Sequence, residues 1–268
     1  ISLIENNNVY ITASNQNSYD IDYFWKNGVK YDILQYLNIP VGTTAYILNI
    51  AAEGNDVYFT GYLETASAPA LERFELCYWK NSAKVLLQKQ PDNGVSNICI
   101  ANSQPYIVIH GYSPTTGYEF GYFQNTIFHS ISPNIFPFRN ITKNHDGVHI
   151  LFQKDLKFYK YSITTGSETE IGNYESPAGG LGELIPDPSN SNLYTNYNQY
   201  YYYKNTIKVP NTDFGYRTIT DMKVYDENIY MLKQDNNFPA GYKLSINDVQ
   251  IQTIMNGGSF RSVFVVKN

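Results

Sequence analysis

Arginine follows an aromatic residue three times where strand-like sequence begins: Phe138-Arg139, Tyr216-Arg217 and Phe260-Arg261. A guanidinium is a planar fork of donors suited to carboxylates and phosphates. Three of them at one place would make an anion site in a chain whose net charge is −5. Each would otherwise pair with a neighbouring Asp or Glu, or lay its stem along apolar surface. Aromatic residues in nearby variable stretches offer faces for sugars or peptide side chains, or else belong to the core. The ligand-binding candidates are therefore Arg139, Arg217, Arg261, Tyr62, Tyr112, Tyr174, Phe214 and Phe238.

Catalytic patterns do not emerge from the remaining residues. Of the four histidines, His110, His129, His145 and His149, the last two stand four apart, but across a turn into a strand and not on one helix face, and there is no Cys-x-x-Cys. Gly-x-Ser-x-Gly, Ser-x-x-Lys and a P-loop are all missing. Gly179-Gly180-Leu181-Gly182 lacks the lysine of a phosphate cradle and reads as a connection. Glycoside hydrolysis needs two facing carboxylates. Asp20, Glu72, Asp213 and Asp235 stand in loops, where acids are ordinary. No catalytic residue, metal site or cofactor is assigned.

Composition narrows the class. The chain has 268 residues, 43% hydrophobic and only 16% charged, with 26 tyrosines. A tyrosine buries its ring while its hydroxyl finds water or a backbone partner, which suits layered sheets. The acidic balance, with a pI near 5.4, argues against a general nucleic-acid partner. No apolar run approaches 18 residues, so no transmembrane helix is expected. Cys77 and Cys99 sit in apolar strand-like runs and are expected to be buried free thiols.

Internal repetition decides the fold expectation. A turn followed by an aliphatic residue, usually then an aromatic, opens strands at Val9, Val57, Ile107, Val148, Leu193 and Ile229. Their spacings of 48, 50, 41, 45 and 36 residues define six units. His149 takes the place that Tyr10, Tyr58, Tyr194 and Tyr230 hold in sibling units, so a structural role is expected. Aromatic strands ending in an Asn-centred turn recur as Tyr23-Phe24-Trp25-Lys26-Asn27-Gly28 and Cys77-Tyr78-Trp79-Lys80-Asn81-Ser82. Weaker copies centre on Asn125, Asn205 and Asn247. Asn and Gly tolerate the positive φ of tight hairpins, so each unit reads as four strands, A to D from the inside outward. The expectation is an all-β, six-bladed β-propeller over residues 1–268 as one domain, closed by pairing of the C-terminal strand with the N-terminal blade. The A–B and C–D turns would be short and share one end. The D–A and B–C connections would be long and share the other, where ligands bind.

The Trp-Lys-Asn-Gly hairpins, the Val-Tyr strand starts and the ending Ser262-Val263-Phe264-Val265-Val266-Lys267 resemble bacterial extracytoplasmic β-propeller repeat proteins, which are often lipid-anchored. The resemblance implies the propeller fold and a location in the periplasm or on the outer cell surface. It also implies membrane attachment through an N-terminal lipid anchor carried on a removed leader; it supplies no catalytic residues. The expected function is a non-enzymatic binding module recognising a carbohydrate or protein partner at the D–A/B–C end. Two rivals stand beside it: a hydrolase or lyase acting on an anionic glycan, and a structural component of a surface assembly.

Overall fold

The computed structural model describes residues 7–14, 20–89, 93–113, 117–131, 138–144, 146–154, 157–172, 184–196, 201–205, 207–211, 216–235, 241–254 and 259–267. Twenty-four strands account for most of them. They begin with β1 (Asn7–Ser14), β2 (Tyr23–Lys26), β3 (Val29–Asp32), β4 (Thr43–Glu53), β5 (Asp56–Thr65), β6 (Phe74–Lys80) and β7 (Ala83–Lys89). Next come β8 (Asn93–Ala101), β9 (Gln104–Ser113), β10 (Gly117–Gln124), β11 (Ile127–Ser130), β12 (Phe138–Asn144), β13 (Gly147–Lys154), β14 (Lys157–Ser162) and β15 (Glu168–Gly172). The last are β16 (Leu184–Pro186), β17 (Leu193–Asn196), β18 (Tyr201–Lys204), β19 (Ile207–Pro210), β20 (Tyr216–Tyr225), β21 (Asn228–Asp235), β22 (Tyr242–Ile246), β23 (Val249–Ile254) and β24 (Ser259–Lys267).

These strands form six four-stranded sheets, the blades of a six-bladed β-propeller. Five sheets run in sequence order from β4 to β23. The remaining sheet has the order β24-β1-β2-β3, so the C-terminal strand pairs with the N-terminal blade as the repeat pattern requires. The chain falls into two compact units, one built on Glu5–Asn134 and the other on Ile135–Val265. Among the described residues no helix is long and apolar enough to cross a membrane. Two short helical turns interrupt the strands: Ile33–Tyr36, capped by the Asp32 carboxylate accepting from Gln35 N at 3.0 Å, and Ala70–Glu72.

The two repeated sequence elements meet each other in space. All the strand openers lie on the second strand of a sheet, and all the turn asparagines lie between the third and fourth. Asn27, Asn81, Asn205 and Asn247 have φ of 51, 53, 56 and 48°, the left-handed region that Asn enters at little cost. Each asparagine Oδ1 accepts from the opener's backbone N–H, from Val9 at 2.9, Val57 at 3.0, Leu193 at 2.9 and Ile229 at 2.9 Å. Each Nδ2 donates to the side chain just before the opener, on Asn8, Asp56, Asn192 and Asn228, at 2.7 to 3.0 Å. The clasp satisfies a backbone donor at the sheet end and fixes the register of three strands.

The third sheet shifts the assignment of its opener. Asn125 N donates to Pro105 O at 3.0 Å, whereas Asn27 and Asn81 donate to Val9 and Val57. Pro105, two residues before Ile107, therefore holds the opener's place, and having no N–H it cannot enter the clasp. Gln124 Nε2 instead bonds Gln104 Oε1 at 2.9 Å and Tyr106 Oη at 3.2 Å.

A third repeat lies on the innermost strands. Pairing in β4, β8, β12 and β20 skips one residue just before Asn49, Asn97, Asn140 and Asp221, a β-bulge each time. An apolar residue follows in each strand: Ile50, Ile98, Ile141 and Met222, all buried. Behind them the second and third sheets share a core of Tyr58, Leu76, Ile98, Ile107, Ile109 and Phe123. The fifth and sixth share Ile185, Tyr194, Met222, Val224 and Met231. Between the fourth and fifth the described core shrinks to Leu151 and Phe158, with Ile171 and Tyr203 against them. Cys77 and Cys99 are buried free thiols, and burial pushes Cys77 up to about 12.

Candidate functional site

The arginine candidates stand at strand starts, which by strand order lie at the D–A/B–C ends of their own sheets. Arg139, Arg217 and Arg261 all lie near the starts of innermost strands, on β12, β20 and β24. Arg139 and Arg217 are themselves bulge residues, because pairing steps from Phe138 to Asn140 and from Tyr216 to Thr218. They are not equivalent positions: Arg139 directly precedes the repeated Asn, whereas Arg217 stands four residues ahead of Asp221. The side chains of all three arginines and of Tyr112 lie outside the described residues, as do Tyr174, Phe214 and Phe238 entirely.

Two aromatics of this end are committed to the framework. The Tyr62 hydroxyl accepts from Val95 N at 2.9 Å, pinning the inner strand of the third sheet to the second, and burial raises its pKa. Tyr216 is buried, accepts from Asn211 Nδ2 at 3.1 Å, and has the buried Lys233 ammonium 4.7 Å from its ring centroid. The third sheet's B–C connection, expected to be long, is shortened by ladder, with Ser113 opposite Gly117 and Tyr112 opposite Tyr118. Glu64 is held by Arg73 and by Tyr46 Oη at 3.0 Å, and the Arg73 bonds keep its carboxyl below the usual range. Of the loop acids, Glu72 stands 3.7 Å from Lys89 Nζ, while Asp213 and the side chain of Asp235 lie outside the described residues. Among the described residues no three His, Cys, Asp or Glu side chains are placed to share a metal ion.

At the opposite end two acids reach from one sheet to the next. Glu53 accepts from Asn102 N at 3.2 Å and from Ser103 N, the two residues of the third sheet's A–B turn. Asp187 does the same for the sixth sheet, accepting from Asp226 N at 3.0 Å and Glu227 N at 2.8 Å. Burial would raise the Asp187 carboxyl, but bonds from the Ser189 hydroxyl and the Glu227, Ser189 and Asp226 amides hold it below the usual range.

The fourth sheet breaks this pattern. His149 faces Ser162 as Tyr10 faces Lys26, so it does occupy the tyrosine position, and it is 3% exposed. In the second sheet that position sends Tyr58 Oη across to Ser103 O at 3.4 Å. His149 instead turns to its own sheet, with Nε2 3.0 Å from Asp146 Oδ1, and Lys160 Nζ lies 3.0 Å from Oδ2. Partial burial would raise Asp146, but Lys160 and the His149 imidazole hold it at about 2. The fifth sheet's A–B turn, expected to be short, spans residues 187–192 between β16 and β17. A cavity of about 170 Å³ opens between the short imidazole and this long turn. Thr142, Asn144, His149, Lys160 and Glu170 line it from the fourth sheet. Pro186, Leu193 and the turn residues 190–192 line it from the fifth. The sequence signals were the lone His in a Tyr column and the six residues between Pro186 and Leu193; only the first was noticed.

No protein-family model matches the chain, and no curated protein matches it. Among solved structures it is similar to U3-55K, with TM-score 0.49 and 10% identity over 97% of this chain and 85% of that one. It is similar to the RRP9 WD40 repeats, with TM-score 0.47 and 10% identity over 97% and 84%. It is also similar to apo AztD from Citrobacter koseri, with TM-score 0.45 and 7% identity over 98% of both chains. At TM-scores below 0.5 none of these lends a partner or an activity to this chain.

Proposed function

We propose that the chain is a binding or scaffold module, working outside the cytoplasm, that engages a carbohydrate or protein partner through its D–A/B–C end. One observation carries the reading. Four C–D turns are held by asparagine clasps and two A–B turns by acid caps, whereas the Arg139, Arg217 and Arg261 strand starts stand beside the longer connections, the segments a rigid scaffold presents to partners. The resemblance of the hairpins supports the compartment. The test is a thermal-shift screen against acidic and neutral oligosaccharides, sulfate and phosphate. A ligand at 100 times its Kd adds roughly 2.7 kcal/mol of stability. A shift with acidic ligands that disappears in Arg139→Ala/Arg217→Ala supports the reading, and no shift with any acidic ligand removes the arginines from it.

A specific feature favours assembly as a second reading. The first residue of the outermost strand is an exposed aliphatic in four sheets: Val29 at 56%, Ile127 at 64%, Ile207 at 68% and Val249 at 65%. Each stands at the outer edge of its own sheet, where a second protein surface laid against that edge would cover it.

A further inference from the structure

We infer that the cavity between the fourth and fifth sheets is a binding site for a single neutral sugar ring, at the A–B/C–D end and independent of the partner face proposed above. Size is the first argument. Clefts for drug-sized ligands run to 300–1,000 Å³, and a water takes about 30 Å³. A space of about 170 Å³ therefore suits one ring. Its origin is the second argument. The cavity stands where a sibling blade's tyrosine reaches across to the next sheet, so it is a built departure from the repeat and not a packing fault common to every blade.

The lining chemistry selects the ligand. Lys160 is already paired with Asp146 at 3.0 Å, and Glu170 with Lys157 at 3.0 Å, so a charged ligand group would have to compete with an existing ion pair. Both groups keep hydrogen-bonding capacity toward neutral partners: the ammonium has further protons and the carboxylate further lone pairs. The Asn144 side-chain oxygen is buried with no hydrogen-bond partner among the described residues, an acceptor waiting for a donor. A hydroxyl both donates and accepts, so adjacent ring hydroxyls answer Lys160, Glu170 and Asn144 together. Leu151 and Ile171 from the fourth sheet and Leu193 from the fifth give the cavity an apolar lining that suits the C–H face of a pyranose.

The same ring chemistry is offered by a free monosaccharide or by the end of a longer glycan. Saturation-transfer NMR on the whole chain would use glucose, galactose, mannose and N-acetylglucosamine, each free and as its β-1,4-linked disaccharide, with glycine and inorganic phosphate as charged comparators. Binding of at least one neutral sugar is expected, with Kd on the order of 1 mM. A signal from the free sugars alone marks an enclosed monosaccharide site, and an equal or stronger disaccharide signal marks a glycan end; both support the site. His149→Tyr restores the sibling tyrosine and fills the cavity, so it should weaken binding at least tenfold. Ser191→Trp, at an exposed turn position, blocks the opening without touching the core and should do the same. Absence of any sugar signal, binding of glycine or phosphate in its place, or a signal undiminished in both variants would overturn the assignment.

Discussion

Asp187 allows the physics of sheet-to-sheet attachment to be measured at one residue. It is fully buried, and its carboxylate accepts five hydrogen bonds: from Ser189 N and Oγ, Asn190 Nδ2, Asp226 N and Glu227 N. Asp226 and Glu227 have φ of 51 and 60°, so the carboxylate also holds two residues in the left-handed region. Asp187→Ala orphans the two turn amides, at about 1–3 kcal/mol each when buried, and frees a strained turn. Water reaches these part-buried groups, so the total is expected near 3 kcal/mol, roughly a 6–12 °C fall in Tm for a chain of this size. Glu53→Ala removes the matching cap at an exposed site and should cost about 1 kcal/mol or less. The pH dependence has a definite sign. The folded Asp187 pKa lies below its unfolded value of about 3.9, so its contribution is fully present above pH ~4 and is lost as pH falls through the folded value. The gap between thermal melts of wild type and Asp187→Ala should therefore narrow from pH 7 down to pH 2.5. A gap below about 1 kcal/mol at neutral pH, or one that persists unchanged in acid, refutes the account.

Two further outcomes follow from the clasp and the core. Asn81→Gly keeps the φ of 53° but loses the bonds to Val57 N and Asp56, and should cost about 1–2 kcal/mol. Asn81→Ala adds the left-handed strain and should cost about 1 kcal/mol more in the same melts; equal losses would show that the backbone angle is not part of the effect. Cys77, fully buried with its thiol pushed up to about 12, should resist a thiol-specific disulfide reagent at pH 8 until the chain is unfolded. Rapid modification of Cys77 in the native state, located by peptide mass, would contradict its burial.

Much of the architecture was legible because it is written in local chemistry. Asn27 and Asn81 mark hairpins through the backbone angle they tolerate, and Val9 and Val57 mark the strand that each hairpin clasps. The misreading of Ile107 came from the same source. Proline lacks the N–H that would have made Pro105 a partner of Asn125, so the local signal moved to the next aliphatic residue. The repeated Asn or Asp of the inner strands was overlooked because a bulge breaks the alternation on which strand patterns are read.

The sequence by itself determined the number of sheets, the order of strands within each and the identity of the turn residues, since these depend on period, turn angle and burial alternation along the chain. Only the tertiary structure decided what faces what. It committed the Tyr62 hydroxyl to Val95, gathered His149 and Lys160 around Asp146, and left a cavity before a turn some forty residues away in sequence. A side chain's own type fixes what it can bond, but the space beside it is set by the neighbouring sheet, and no local pattern encodes that space.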